Sequence, residues 1–187
     1  MKYFSVLLSA VRDVLADKTR MDVSQQEVSA CCDDLARQIR RSYEPNLIIA
    51  IGAGGSVPGE LMAEKLGIPI MHVVIRRNIN IARRYSLDPI PLRWILSLYH
   101  HFLFQTVKPT LSEDINISFS DKKVLVVDDT IHTGATIDVI DAYLKRTDAL
   151  DVKIASLSYV SNRQPDFFAL PRGNYSFPWS RDYNPEP

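Results

Sequence analysis

Two adjacent carboxylates, Asp128 and Asp129, follow directly on the apolar run from Val124 to Val127. Ionised carboxylates only accept hydrogen bonds, so a neighbouring pair suits a diol, a divalent cation, or proton transfer. A few residues further on, Thr133, Gly134, Ala135 and Thr136 lead into a helical pattern. Free backbone N–H groups at a helix start, together with the positive end of its dipole, favour a phosphate. The threonine hydroxyls add donors, and Gly134 lets the backbone approach closely. Carboxylates beside a phosphate are repulsive alone, yet they suit the two hydroxyls of a ribose that carries it. A ribose 5-phosphate therefore explains the stretch better than phosphate or metal alone. His132 lies between the two groups. It titrates near neutrality, which suits a general base or acid, and it equally suits a solvent-facing position.

A second loop offers the same kind of ligand site. In GAGGS, residues 52–56, Gly54 and Gly55 allow main-chain N–H groups to turn toward an anion, although an ordinary tight turn reads the same way. Arg76 and Arg77 end a later apolar run and bring positive charge. His100 and His101 have no neighbours at metal-ligand spacing, and no ligand role is assigned to them.

The elements that must position these residues alternate regularly. Residues 22–43 read as a helix, with Ser24 and Glu27 in a capping-box pattern, Val28, Leu35 and Ile39 at helical spacing, and Pro45 closing it. NLIIAI then predicts a buried strand, PGELMAEKLG a helix, and IPIMHVVI another strand. KKVLVV, ATIDVIDAYLKR and VKIASLSYV repeat the strand, helix and strand order. Such alternation implies βαβ units: an α/β fold with a mainly parallel sheet, helices on both faces, and a cleft at the C-terminal strand ends. At 187 residues the chain suits a single domain over 1–187. Residues 78–120 break the rhythm as a helical insertion. Within it, residues 92–107 read as a helix apolar nearly all round, which suits burial in the core or a homodimer contact, or else a substrate lid or membrane contact.

Formal charge balances at zero, so no overall field favours nucleic acid or an anionic membrane. No segment reaches the length of a bilayer span, and the first fifteen residues read as an amphipathic helix rather than a signal peptide. Cys31 and Cys32 are adjacent in a helical pattern and point about 100° apart, poorly placed for a common disulfide or metal site; buried or half-buried free thiols suit a reducing cytoplasm.

The segment VVDDTIHTGAT resembles the signature of the type I phosphoribosyltransferases. The resemblance implies a phosphoribosyltransferase-type domain that binds phosphoribosyl pyrophosphate (PRPP). Asp128 and Asp129 would take the ribose hydroxyls, and Thr130, Thr133, Gly134, Ala135 and Thr136 the 5-phosphate side. The stretch IIAIGAGGSVPGELMAEKLGIPI is similar to the family's pyrophosphate loop, which implicates Ala53, Gly54 and Gly55. Purine-transferring relatives often carry Arg or Lys where this chain has Ala53, so Arg76 and Arg77 are candidates for the missing charge.

VKIASLSYVSNRQPDF resembles the strand and turn of hypoxanthine-guanine members, where a lysine grips the exocyclic oxygen of the base. That position falls on Val160 here, which leaves Asn162 and Arg163 as substitutes or a plain surface turn. NYSFPWSRDYN resembles the hood that lays an aromatic ring over the base in xanthine and guanine enzymes. Phe177 and Trp179 in the C-terminal tail, 161–187, are the candidates, with core packing as the alternative. By the same resemblance His132 stands where a relative's Asp takes the proton from N7 of the purine. The expected catalytic set is thus His132, Asp128 and Asp129, with Mg²⁺ held mainly through substrate oxygens and by the two aspartates. The expected reaction is transfer of ribose 5-phosphate from PRPP to a nucleobase, a 6-oxopurine by the look of the tail, with release of pyrophosphate. The alternatives are a PRPP- or nucleotide-binding regulator without turnover, or a transferase for a non-purine acceptor.

Overall fold

The structure is a computed structural model that describes residues 20–77, 109–111, 118–180 and 183. The expected N-terminal helix and the expected helix over 92–107 lie outside the described residues.

Nine strands and three helices are described. After the short β1 (Met21–Asp22), α1 spans Gln25–Ser42. Its start is fixed by the expected capping box: Glu27 N–H donates to the Ser24 hydroxyl while Ser24 N–H donates to the Glu27 carboxylate at 2.7 Å. Val28, Cys31, Cys32, Leu35, Ala36 and Ile39 make the buried stripe. That i, i+3, i+4, i+7 spacing is the face a helix lays on a sheet.

The strands β2 (Leu47–Ile51), β3 (Ile70–Val73), β6 (Lys123–Ile131), β7 (Asp151–Tyr159) and β8 (Phe167–Phe168) form one sheet in the order β3-β2-β6-β7-β8, every pair parallel. Between them run α2 (Gly52–Leu66) and α3 (Ala135–Arg146). Strand side chains alternate between two cores, as the period of two requires. Ile48, Leu125, Val127, Ala155 and Leu157 face α1 and Met62 of α2. Leu47, Ile49, Val124 and Val126 face Ile137, Ile140 and Leu144 of α3. The sheet is therefore covered on both faces, which explains why β2 is buried along its whole length.

The chain leaves β2 through α2 toward β3, and leaves β6 through α3 toward β7 on the other side. The two connections diverge, so a crevice opens at the C-terminal ends of β2 and β6. Pairing of β2 with β6 stops at Ala50 and Val127, whereas β6 runs on beside β7 to Ile131 and Tyr159. From Asp128 on, β6 thus has no partner in β2 and lies beside the start of α2.

Two features differ from the sequence reading. α2 begins at Gly52, not at Pro58, and Pro58 lies within the helix. Proline can stand inside a helix when the unbonded carbonyl lies near its start, which here is Gly54 in the first turn. The IPIMHVVI run also breaks after Val73. β4 (Ile75–Arg77) leaves the main sheet and pairs antiparallel with β5 (Pro109–Leu111). A second small sheet joins β1 in parallel to β9 (Tyr175–Ser176), tying the C-terminal tail to the entry of α1.

Candidate functional site

The crevice holds a cleft of about 200 Å³ lined by Gly54, by Asp128, Asp129 and Thr130 of β6, and by His132, Thr133, Gly134 and Thr136 beyond it. One continuous stretch of sequence supplies nearly the whole lining, because a strand end, a tight loop and a helix start follow one another without interruption. Gly134 makes the turn possible: it has φ +80° and serves as the N-cap of α3. No side chain caps α3 there, and the Ala135 N–H reaches the Thr133 hydroxyl only at 3.3 Å. After Ala135, the N–H groups of Thr136 and Ile137 precede the first intrahelical bond and are available for an anion at the mouth of the cleft.

The carboxylates differ in their surroundings. Successive strand residues point to opposite faces, so Asp129 shares the face of Leu125 and Val127, and Asp128 that of Val124 and Val126. Asp129 Oδ1 accepts from Thr130 N–H at 2.7 Å, and Oδ2 accepts from the indole N–H of Trp179 at 2.8 Å. Asp128 Oδ1 accepts from the Asp129 N–H at 2.9 Å. Burial, and then the neighbouring charge of Asp129, push the Asp128 carboxyl well above the usual aspartate range. The Thr130 hydroxyl bonds that of buried Ser158 at 2.9 Å, which joins the site to β7.

The expected glycine loop is the first turn of α2, and its Gly54 and Gly55 pack directly against this acidic edge. A Cβ on Gly54 would stand 2.4 Å from Asp129 Oδ2, and one on Gly55 would stand 2.6 Å from the Val127 carbonyl oxygen. Only a residue without a side chain lets α2 start so close to β6. Ala53, beside them, is exposed and outside the cleft lining. Arg76 is exposed on β4 and is not among the lining residues; Arg77 belongs to the same strand.

The tail positions are split. Phe177 is only 1 % exposed and belongs to the core on the α1 face, so its ring is not presented to the cleft. Trp179 is half-buried, stacks on Phe177 with centroids 5.2 Å apart and planes at 11°, and reaches the cleft through its N–H. Arg163, a candidate from the turn after β7, pairs with Asp138 in the first turn of α3, and its side chain lies where a Cβ on Gly134 would sit. It therefore stands at the phosphate-type loop. Asn162 is exposed, and the Val160 carbonyl accepts from Arg172 Nε at 2.7 Å. The bond between Trp179 and Asp129 had no signal in the sequence, since fifty positions separate the partners.

A parallel sheet with its cleft at the switch point, an acidic strand end, and an uncapped helix start reached through a positive-φ glycine define the type I phosphoribosyltransferase architecture. The family's sequence model, the phosphoribosyl transferase domain, matches residues 23–167, and the chain belongs to that family. Among solved structures it is similar to a purine phosphoribosyltransferase from Pyrococcus horikoshii, with TM-score 0.66 and 23% identity over 90% of this chain and 99% of the other. A xanthine-guanine-hypoxanthine phosphoribosyltransferase from Helicobacter pylori gives TM-score 0.63 and 15% identity over 87% of this chain and 93% of that one. A Neisseria gonorrhoeae protein with bound ppGpp gives 0.64 and 18% over 86% and 89%. No curated protein matches the chain. At these identities the likeness is one of fold. Among the described residues, no helix is long and apolar enough to cross a membrane.

Proposed function

We propose that the protein transfers ribose 5-phosphate from PRPP to a nucleobase, a 6-oxopurine, and releases pyrophosphate. The observation that carries the reading is one cleft lined by Asp128, Asp129, Thr133, Gly134 and Thr136 together with Gly54; Ala135, expected with them, is not among its lining residues. In this reading the N–H groups opening α3, with the Thr133 and Thr136 hydroxyls, hold the 5-phosphate. Asp128 and Asp129 take the ribose hydroxyls, and the Gly54–Gly55 turn takes the pyrophosphate. The sugar passes through an oxocarbenium-like state, so the residues act chiefly by keeping ribose, base and leaving group in line. In this reading His132, which is exposed and lines the cleft, would exchange a proton with the base. Purine specificity draws support from the purine enzymes of the same fold and from Trp179 at the edge of the cleft.

The donor set fits Mg²⁺ of the kind completed by substrate oxygens and water. The cleft offers two hard carboxylates, and among the described residues no group of three or more acidic, histidine or cysteine side chains could cage an ion. Asp128 and Asp129 would hold it, and when bound it would neutralise charge on the departing pyrophosphate.

A second reading, a PRPP- or nucleotide-binding regulator without turnover, is favoured by exposed, neutral Ala53 beside the glycine turn. One experiment separates the two. Pyrophosphate release from PRPP with Mg²⁺ is measured against hypoxanthine, guanine, xanthine, adenine, uracil and orotate. Release with an oxopurine, lost about 100-fold or more in Asp128→Asn/Asp129→Asn, supports the transferase. Binding of PRPP without release under any base supports the regulator or an acceptor outside the panel. Release with uracil or orotate alone removes the purine assignment.

A further inference from the structure

We propose that Trp179 is the positioning residue for Asp129, so that the C-terminal tail sets the affinity of the ribose site. The inference rests on the proposed binding of PRPP in this cleft. Each atom of the Asp129 carboxyl is constrained. Oδ1 takes the N–H of Thr130 at 2.7 Å, Oδ2 takes the indole N–H of Trp179 at 2.8 Å, and Gly54 closes the remaining side. An alanine methyl at Gly54 would lie within 2.7 Å of Oδ1, Oδ2 and Cγ together, so the carboxylate has no room to swing toward α2. Each oxygen still has a lone pair for an incoming hydroxyl, and its direction is fixed before the sugar arrives.

The clamp is itself rigid. Trp179 rests on Phe177, which is 1 % exposed in the core beneath α1. The turn carrying it is closed by two hydrogen bonds, Phe177 N–H to the Ser180 hydroxyl at 3.0 Å and Ser180 N–H to the Phe177 carbonyl at 2.7 Å. β9 immediately before it is paired to β1. A donor held this firmly against a charged acceptor makes the stronger class of hydrogen bond. A half-buried indole N–H also needs some partner, so a purely structural role must be separated from positioning.

Trp179→Phe keeps a ring over Phe177 and removes the donor together with the smaller ring of the indole. PRPP binding with Mg²⁺ is measured by calorimetry without any base, so that ring stacking on a base cannot contribute. The four proteins are the wild type, Trp179→Phe, Asp129→Asn and the double variant. We expect Trp179→Phe to weaken PRPP binding about 10-fold, and to have little further effect once Asp129 is Asn. Unchanged affinity in Trp179→Phe, or the same loss in the Asp129→Asn background, overturns the proposal while leaving PRPP binding intact. Absence of PRPP binding by the wild type overturns the functional reading and this proposal with it. Should Trp179→Phe fail to fold, the wild-type indole N–H resonance of Trp179 decides; the chain has one other tryptophan, Trp94, and Trp94→Phe assigns the two signals. The Trp179 resonance shifts on saturation with PRPP if the proposal holds, and an unmoved resonance overturns it.

Discussion

Gly54 lies against the carboxylate of Asp129 so closely that a Cβ would come within 2.4 Å of Oδ2, whereas a Cβ on Gly55 would meet the Val127 carbonyl oxygen at 2.6 Å. The two glycines are neighbours, but one abuts the end of a side chain and the other abuts backbone. Gly54→Ala can be relieved by turning the Asp129 carboxyl, which breaks its two hydrogen bonds and leaves the sheet in place. Gly55→Ala can be relieved only by moving α2 away from β6. We therefore expect Gly54→Ala to lose PRPP affinity about 10-fold with a small change in melting temperature. Gly55→Ala should lose ~1–3 kcal/mol of stability, the usual range for overpacking. Calorimetry and urea unfolding on both variants test the contrast, and equal stability losses would show that the helix start yields as a unit.

Asp128 makes the acidic pair a liability to the fold near neutral pH. Its folded carboxyl titrates well above the ordinary value of 3.8 because burial and then Asp129 disfavour the charge. For a raised carboxyl, the native state binds the proton more tightly than the unfolded chain does. The stabilising contribution is thus complete below 3.8 and is lost as pH rises through the folded value. Asp128→Asn should remove this dependence. The variant should gain stability on the wild type as pH increases, with the smallest difference at the acid end. Urea midpoints from pH 4 to pH 8 measure it; parallel curves for the two proteins would refute the account.

Gly134 combines two constraints that a double variant can separate. Its φ of +80° disfavours any L side chain, and Arg163 Cδ lies 2.7 Å from the place of a Cβ. Gly134→Ala should cost roughly 1–3 kcal/mol through both effects. In an Arg163→Ala background the steric part disappears and the backbone part stays, so the cost should fall without vanishing. An identical cost in both backgrounds would mean that Arg163 moves aside freely.

Much of this arrangement is legible in the sequence because it is local. The capping box of α1, the apolar β6 and the loop to α3 depend on residues within one or two turns of each other. The start of α2 differs from the sequence reading because proline favours a helix's first position, whereas Pro58 stands in the second turn. Two tail aromatics carry identical hydrophobic signals, so nothing local tells that Phe177 goes to the core while Trp179 reaches Asp129. The β1–β9 pair and the contact of Arg163 with Gly134 join segments that are far apart or cross a turn of no regular pattern. Such contacts are set by the packed whole, which no window of sequence contains.

The two thiols of α1 supply a probe of that packing. Cys31 and Cys32 both fall within its buried stripe, because the apolar face is wide enough to include neighbours 100° apart. Burial is the main reason that the Cys32 thiol is pushed up to about 12, and the same cause raises Cys31. Alkylation needs the thiolate, so neither should react readily at pH 8 in the native protein. Cys31 is 9% exposed and Cys32 fully buried, so Cys31 should be modified first and Cys32 only when α1 leaves the sheet. The rate for Cys32 should then rise with urea in step with global unfolding. Mass spectrometry after timed iodoacetamide labelling resolves the adjacent sites. Rapid labelling of Cys32 in the absence of urea would mean that α1 opens on its own, without the rest of the domain.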